Sequence, residues 1–159
     1  MIKGDIILDA KYKLSKVVET MCDTESRKEW DSTVNCCKLL KKYSPNVMTY
    51  YYIVNIPVFM MQNREFVEKR VVFRWKDAVY TYTTSIDDSF YPLSSSLTRG
   101  KTIFSGTKVV REGGKIVVRI VTQTDFKVSM PTFIMGGKIA DGLSQFRKEL
   151  IARLDSSSC

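Results

Sequence analysis

The stretch KIVVRIVTQTDFKVSMPTFIMGGKIADGLSQFRKELIARL, from Lys115 to Leu154, contains a change of period that decides the fold. Lys115 to Thr124 is rich in valine, isoleucine and threonine and reads as a β-strand. After Pro131 the apolar residues Ile139, Leu143, Phe146, Leu150 and Leu154 recur every three or four positions, with Lys138, Asp141, Gln145, Lys148 and Arg153 on the other face. That spacing predicts one long amphipathic helix. Its apolar stripe needs a partner, and the only large surface on offer is the concave side of a preceding sheet.

The sheet is legible upstream. Val34–Lys42, Val47–Val54, Arg64–Trp75, Val79–Ile86 and Thr98–Val110 are extended segments, and with Lys115–Thr124 they imply an antiparallel meander. Turn residues separate them: Ser44-Pro45-Asn46, Lys76-Asp77, a serine-rich stretch around Pro92, and Gly113-Gly114, the clearest hairpin signal. Ahead of these, Lys3–Asp9 reads as a strand and Tyr12–Met21 as a helix, with Leu14, Val17, Val18 and Met21 on one face. A short helical piece over Glu25–Trp30 follows, capped by Asp23 or Thr24. The expected fold is α+β: a curved antiparallel sheet wrapped around a C-terminal helix, residues 1–155 forming one domain and 156–159 a tail.

Composition narrows the function. Of 159 residues, 44% are hydrophobic, which allows one sizeable core. No run approaches a membrane span and the N-terminus lacks a secretory pattern, so a cytoplasmic protein is expected. The four cysteines, Cys22, Cys36, Cys37 and Cys159, form no CxxC pair and point to reduced thiols. With no histidine in the chain, Ser-His, Cys-His and mixed-ligand zinc sites are all excluded. No metal or cofactor is expected, and no catalytic residue. Asp87-Asp88, the only adjacent acidic pair, sits in turn-forming sequence. The net charge of +8 favours transient contact with an anionic membrane surface. Without a zinc-finger, RRM-like or glycine-rich phosphate motif, nucleic acid is not an expected partner.

Several local patterns occur in a telling order: Lys3-Gly4-Asp5, then Arg27-Lys28-Glu29-Trp30-Asp31, Tyr50-Tyr51-Tyr52, Asn63-Arg64-Glu65-Phe66-Val67 with Arg70, Leu97-Thr98-Arg99-Gly100, Gln123-Thr124-Asp125 and Met130-Pro131. In this order the sequence resembles the START lipid-transfer family of the helix-grip superfamily. It departs from it in having Glu65 where aspartate is usual and Lys127-Val128-Ser129 where Gly-Gly usually precedes the proline. START domains usually begin with a further helix and strands; where these are absent one sheet edge is uncovered, which allows a monomer or a dimer through that edge.

The resemblance implies a lipid held in an internal apolar cavity and transferred between membranes, a phospholipid before a sterol. It puts Arg64 first among headgroup contacts, with Arg99 and Gln123 behind it. Strand parity puts Arg64, Phe66, Glu68 and Arg70 on one face and Val67, Val71, Phe73 and Trp75 on the other, and a simple reading sends the charged set to solvent. Tyr52, Phe66, Trp75, Tyr82, Ile139, Leu143 and Phe146 are expected to line the cavity. Tyr50, Tyr52, Trp75, Tyr80 and Tyr82 are the aromatics from which a choline cage would be built. Val58, Phe59, Met60 and Met61, in the loop before Arg64, match the family's lid and are expected to touch membrane. The alternative function is a helix-grip enzyme, a cyclase or lipid hydrolase working with carboxylates.

Overall fold

Among the described residues, alternating side chains along eight strands, and three helices, make up the fold. The strands are β1 (Ile2–Leu8), β2 (Val34–Ser44), β3 (Val47–Val54), β4 (Arg64–Trp75), β5 (Ala78–Ser85), β6 (Thr98–Arg99), β7 (Lys101–Glu112) and β8 (Lys115–Asp125). The helices are α1 (Leu14–Cys22), α2 (Arg27–Trp30) and α3 (Thr132–Ser156). The computed structural model describes residues 1–56, 61–87, 89, 91–94, 96–127 and 132–157, and the side chains of all of these except 132–140.

The sheet runs in the order β1-β8-β7-β5-β4-β3-β2, with β6 added in parallel to the start of β4. The expected meander is present in β2 to β5, and β7 and β8 continue it by laying β7 beside β5. β1 then pairs with β8, Ile2 opposite Thr122 and Leu8 opposite Ile116, so the two ends of the chain's β-structure meet. Gly113 (φ 55°) and Gly114 (φ 72°) make the β7–β8 turn, where two successive left-handed residues suit glycine. The strand expected over Thr98–Val110 is instead two pieces. At the break, a Cβ on Gly100 would overlap the buried Phe66 ring, so the close approach suits glycine.

α1 starts later than the sequence predicts. Tyr12 stands before it, buried, with its hydroxyl donating to Asp155 of α3 at 2.8 Å. Asp23 ends α1 and leads toward α2, accepting from the backbone N–H groups of Glu25 and Ser26 and from the Ser26 hydroxyl. The core lies at one end of the sheet. There Ile6, Leu8, Val79, Val109, Ile116 and Val118 meet Val17 and Val18 of α1 and Leu150 and Leu154 of α3. These last two are fully buried, as the helical stripe predicts. Among the described residues, no helix is long and apolar enough to cross a membrane.

Candidate functional site

The side chains on the concave face change character partway along each strand. β8 presents Ile116 and Val118 to the core, then Ile120, Thr122 and Thr124; β7 presents Val109, then Thr107 and Ser105; β5 presents Val79, then Thr81 and Thr83. On β4, Val72 packs against the core and is followed on the same face by Arg70 and Glu68. Where the apolar residues stop, a cavity of about 440 Å3 begins, roofed by Gly142, Leu143 and Phe146 of α3. Its helix side is apolar, and its sheet side sets the hydroxyls of β5, β7 and β8 among the apolar Ile2, Val34, Val54 and Ile120.

One end of this cavity is an ordered polar cluster. Glu68, 2% exposed, accepts the Tyr50 hydroxyl at 2.8 Å and the Tyr52 hydroxyl at 2.9 Å. Burial raises the Glu68 pKa above the ordinary carboxylate range; hydrogen bonds from Thr102, Tyr50 and Tyr52 and the Arg70 charge pull the other way. Burial likewise raises the phenol pKa of Tyr50 and of Tyr52, so both stay protonated donors. Arg70 lies over the Tyr50 ring at 4.4 Å and donates to the Cys22 carbonyl at 3.0 Å. It forms no ion pair among the described residues, while its charge acts on Tyr50 and Glu68 beside it. Arg27, also at the cavity wall, is by contrast engaged by Asp31 at 2.7 Å and lies over the Trp30 and Phe146 rings.

The residues expected to form the site are divided by the structure. Tyr52, Leu143 and Phe146 line the cavity. Phe66 is fully buried beside it, stacked on Tyr52 at 5.0 Å and edge-on to Phe126 at 5.8 Å. Trp75 and Tyr82 do not line it: they are 59% and 45% exposed on the opposite face, because their strand positions have the parity of Val71 and not of Arg70. The same parity removes Tyr80, which stacks on Phe73, from any choline cage. Gln123 is exposed. The side chain of Ile139, and Val58, Phe59 and Met60, lie outside the described residues; Met61, next to them, is half-buried.

Arg64 and Arg99 are both largely buried, but neither lines the cavity. Arg64 donates to the carbonyls of Phe126 at 2.6 Å, Lys127 at 3.4 Å and Gln62, and so ties the end of β8 to the start of β4. Arg99 pairs with Glu65 at 3.1 Å and donates to the Tyr91 and Pro92 carbonyls. Glu65 also accepts from Tyr51 and from the Ser94 amide, so this pair pins the segment after β5 to the convex side. The charged set of β4 that a simple reading sent to solvent therefore faces inward from Phe66 to Arg70. Sequence reasoning missed Glu68 and Arg70 as cavity residues, although sharing a face with Phe66 was the signal that could have found them.

An antiparallel sheet gripping a terminal helix over a part-filled concave face defines the helix-grip class. The chain belongs to the START domain family: the family model matches residues 9–158. Human StAR-related lipid transfer protein 5 superposes with a TM-score of 0.86 at 16% identity, over 99% of this chain and 76% of that one. Human STARD10 does so with a TM-score of 0.76 at 19% identity, over 94% of this chain, which spans 61% of that one. A STAR-related lipid transfer protein fragment from Xanthomonas axonopodis gives 0.75 at 18% identity, covering 96% and 84%. The Zhui aromatase/cyclase from Streptomyces shares the fold at 0.63 and 6% identity, over 99% of this chain and 94% of that one. No curated protein matches the sequence. Membership implies the family's lipid binding, and the chain spans about three fifths of the length of STARD10.

Proposed function

We propose that this protein binds a phospholipid in the cavity under α3 and moves it between membranes without chemical turnover. The observation that carries the reading is Arg70, a guanidinium at the cavity wall whose one acidic neighbour among the described residues, Glu68, is held by Tyr50 and Tyr52 and makes no ion pair with it. A cation so placed wants an anion, and a phosphodiester supplies one, whereas a sterol does not. Leu143, Phe146 and Ile120 offer the apolar contact for an acyl chain. Moving that chain from bilayer to protein exchanges one apolar setting for another, so extraction is reversible. A peripheral cytoplasmic site of action fits the net charge of +8, which draws the domain to anionic bilayer surfaces. Val58 to Met61 are proposed as the loop that meets the bilayer, and an uncovered sheet edge, β1 or β2, as the place where a second copy would add.

Native mass spectrometry of protein purified without detergent tests this directly, with a phospholipid mass retained as the expected result. Ser105→Phe, which fills the cavity from its floor, should abolish both retention and vesicle-to-vesicle transfer of a labelled phospholipid. Leu143→Gln should weaken both. Full transfer by the Ser105 variant would overturn the reading, and hydrolysis or cyclisation of the ligand by the purified protein would favour an enzyme instead.

A further inference from the structure

Resting on the cavity as the ligand site, a second feature of its floor identifies the headgroup. In the register of the sheet, Arg70 lies opposite Thr83, Thr83 opposite Ser105, and Ser105 opposite Thr122. These four side chains form one rank across β4, β5, β7 and β8, about 14 Å from end to end at the usual strand spacing. The next rank toward the core pairs Thr81 with Thr107. All of them line the cavity. The hydroxyls of Thr81, Thr83, Ser105 and Thr107 line the cavity and make no hydrogen bond to another described residue, and since none of them is a sealed, unpartnered atom like the Thr49 hydroxyl, they are open to a ligand. Thr122 is held by the Phe104 carbonyl and Thr124.

A pure hydrocarbon laid on this floor would leave a row of enclosed hydroxyls without partners, each an energetic loss. A quaternary ammonium group fares no better. The aromatic rings at the cavity are already engaged: Tyr50 is covered by Arg70 and stacked on Tyr52, Tyr52 is stacked on Phe66 as well, Phe126 meets Phe66 edge-on, and Phe146 is covered by Arg27 beside Trp30. Among the described residues, each ring at the cavity already has a partner, so they form no ready cation–π enclosure for such a group. Glu68, the acidic neighbour of Arg70, has both carboxylate oxygens taken by the tyrosines.

We infer that the cavity selects a lipid whose phosphodiester headgroup carries several hydroxyls, of the inositol or glycerol type, with the phosphate at Arg70 and the headgroup hydroxyls over the Thr83–Ser105–Thr107 floor. Hydroxyls both donate and accept, so a floor of threonines and serine meets such a headgroup in either sense. A site built to bond a ligand's hydroxyls discriminates against analogues that lack them.

The experiment is competitive loading of the full chain from mixed vesicles of phosphatidylinositol and phosphatidylcholine with matched acyl chains, read by mass spectrometry of the bound lipid. Wild type should load phosphatidylinositol at least tenfold in preference. Thr83→Val/Thr107→Val keeps shape and strand propensity while removing two hydroxyls; its preference for phosphatidylinositol over phosphatidylcholine should fall below threefold. If that pair fails to fold, Ser105→Ala reads the same ratio and should reduce it by at least threefold. A wild-type ratio near one, or an unaltered ratio in a folded variant, overturns the inference while leaving lipid binding intact. Loading of neither lipid overturns the proposed function itself. Glycerophosphoinositol, the deacylated headgroup, should not be retained; binding as tight as that of the intact lipid would make a soluble phosphate ester the ligand and overturn the inference.

Discussion

The Tyr50 hydroxyl donates to Glu68 Oε2 at 2.8 Å, so a carboxylate on β4 and a phenol on β3 meet at the polar end of the cavity. Because burial raises the Glu68 pKa, its neutral form fits the fold better than its anion. The sign follows: this contribution to stability is fully present below the ordinary carboxylate pKa and is lost as pH rises through the raised value. Glu68→Gln should therefore flatten the pH dependence of the melting temperature above pH 4.5 and leave the protein at least as stable at pH 7. It should also tighten anionic lipid binding by removing a negative charge beside Arg70. A melting temperature several degrees below wild type at pH 7 would show that the two tyrosine hydrogen bonds outweigh desolvation.

The Glu65–Arg99 pair has side chains only 0% and 9% exposed, respectively. Removing one partner of such a pair strands the other, at a cost of about 3–5 kcal/mol. Arg99→Met should lower the melting temperature by on the order of 10 °C, and Glu65→Met/Arg99→Met should recover much of it. Neither variant should change which lipid is loaded, since the pair stands on the convex side; altered selectivity would place Arg99 back in the site.

Burial pushes the Cys37 thiol up to about 11, with the Arg70 and Arg27 charges opposing. At pH 8 its thiolate population should be about a hundredfold below that of an unperturbed thiol, and alkylation slower in proportion. Mass spectrometry of the Cys37 peptide after timed iodoacetamide treatment, native against denatured, measures this; equal rates would contradict the enclosed geometry.

Thr49 is fully buried on β3, and its hydroxyl has no partner among the described residues. Thr49→Val keeps the branched shape and removes the unsatisfied group, so it should stabilise by about 1 kcal/mol, or roughly 3 °C. A loss of stability on thermal unfolding would mean that the hydroxyl is bonded after all.

Much of the fold was legible because its signals are local. Strand alternation, the turn at Gly113-Gly114 and the spacing of Leu143, Phe146, Leu150 and Leu154 each depend on residues close in sequence. The site was less legible. Arg64 and Arg70 are equally charged, six positions apart on one strand and on one face, and nothing local separates them. What separates them is how far along β4 the cavity lies: Arg64 stands beside the carbonyls of Phe126 and Gln62, and Arg70 beside Tyr50 under the roof of α3.

By itself the amino-acid order determined an antiparallel sheet with a helix against it, the START family, and the absence of histidine chemistry, since period, turn residues and composition are properties of neighbours along the chain. The tertiary structure alone decided which face of β4 turns inward and that Thr83, Ser105 and Thr122, distant in sequence, stand in one rank with Arg70. Cross-strand register creates that rank, and register is set by pairings between segments that cannot be read from any one of them.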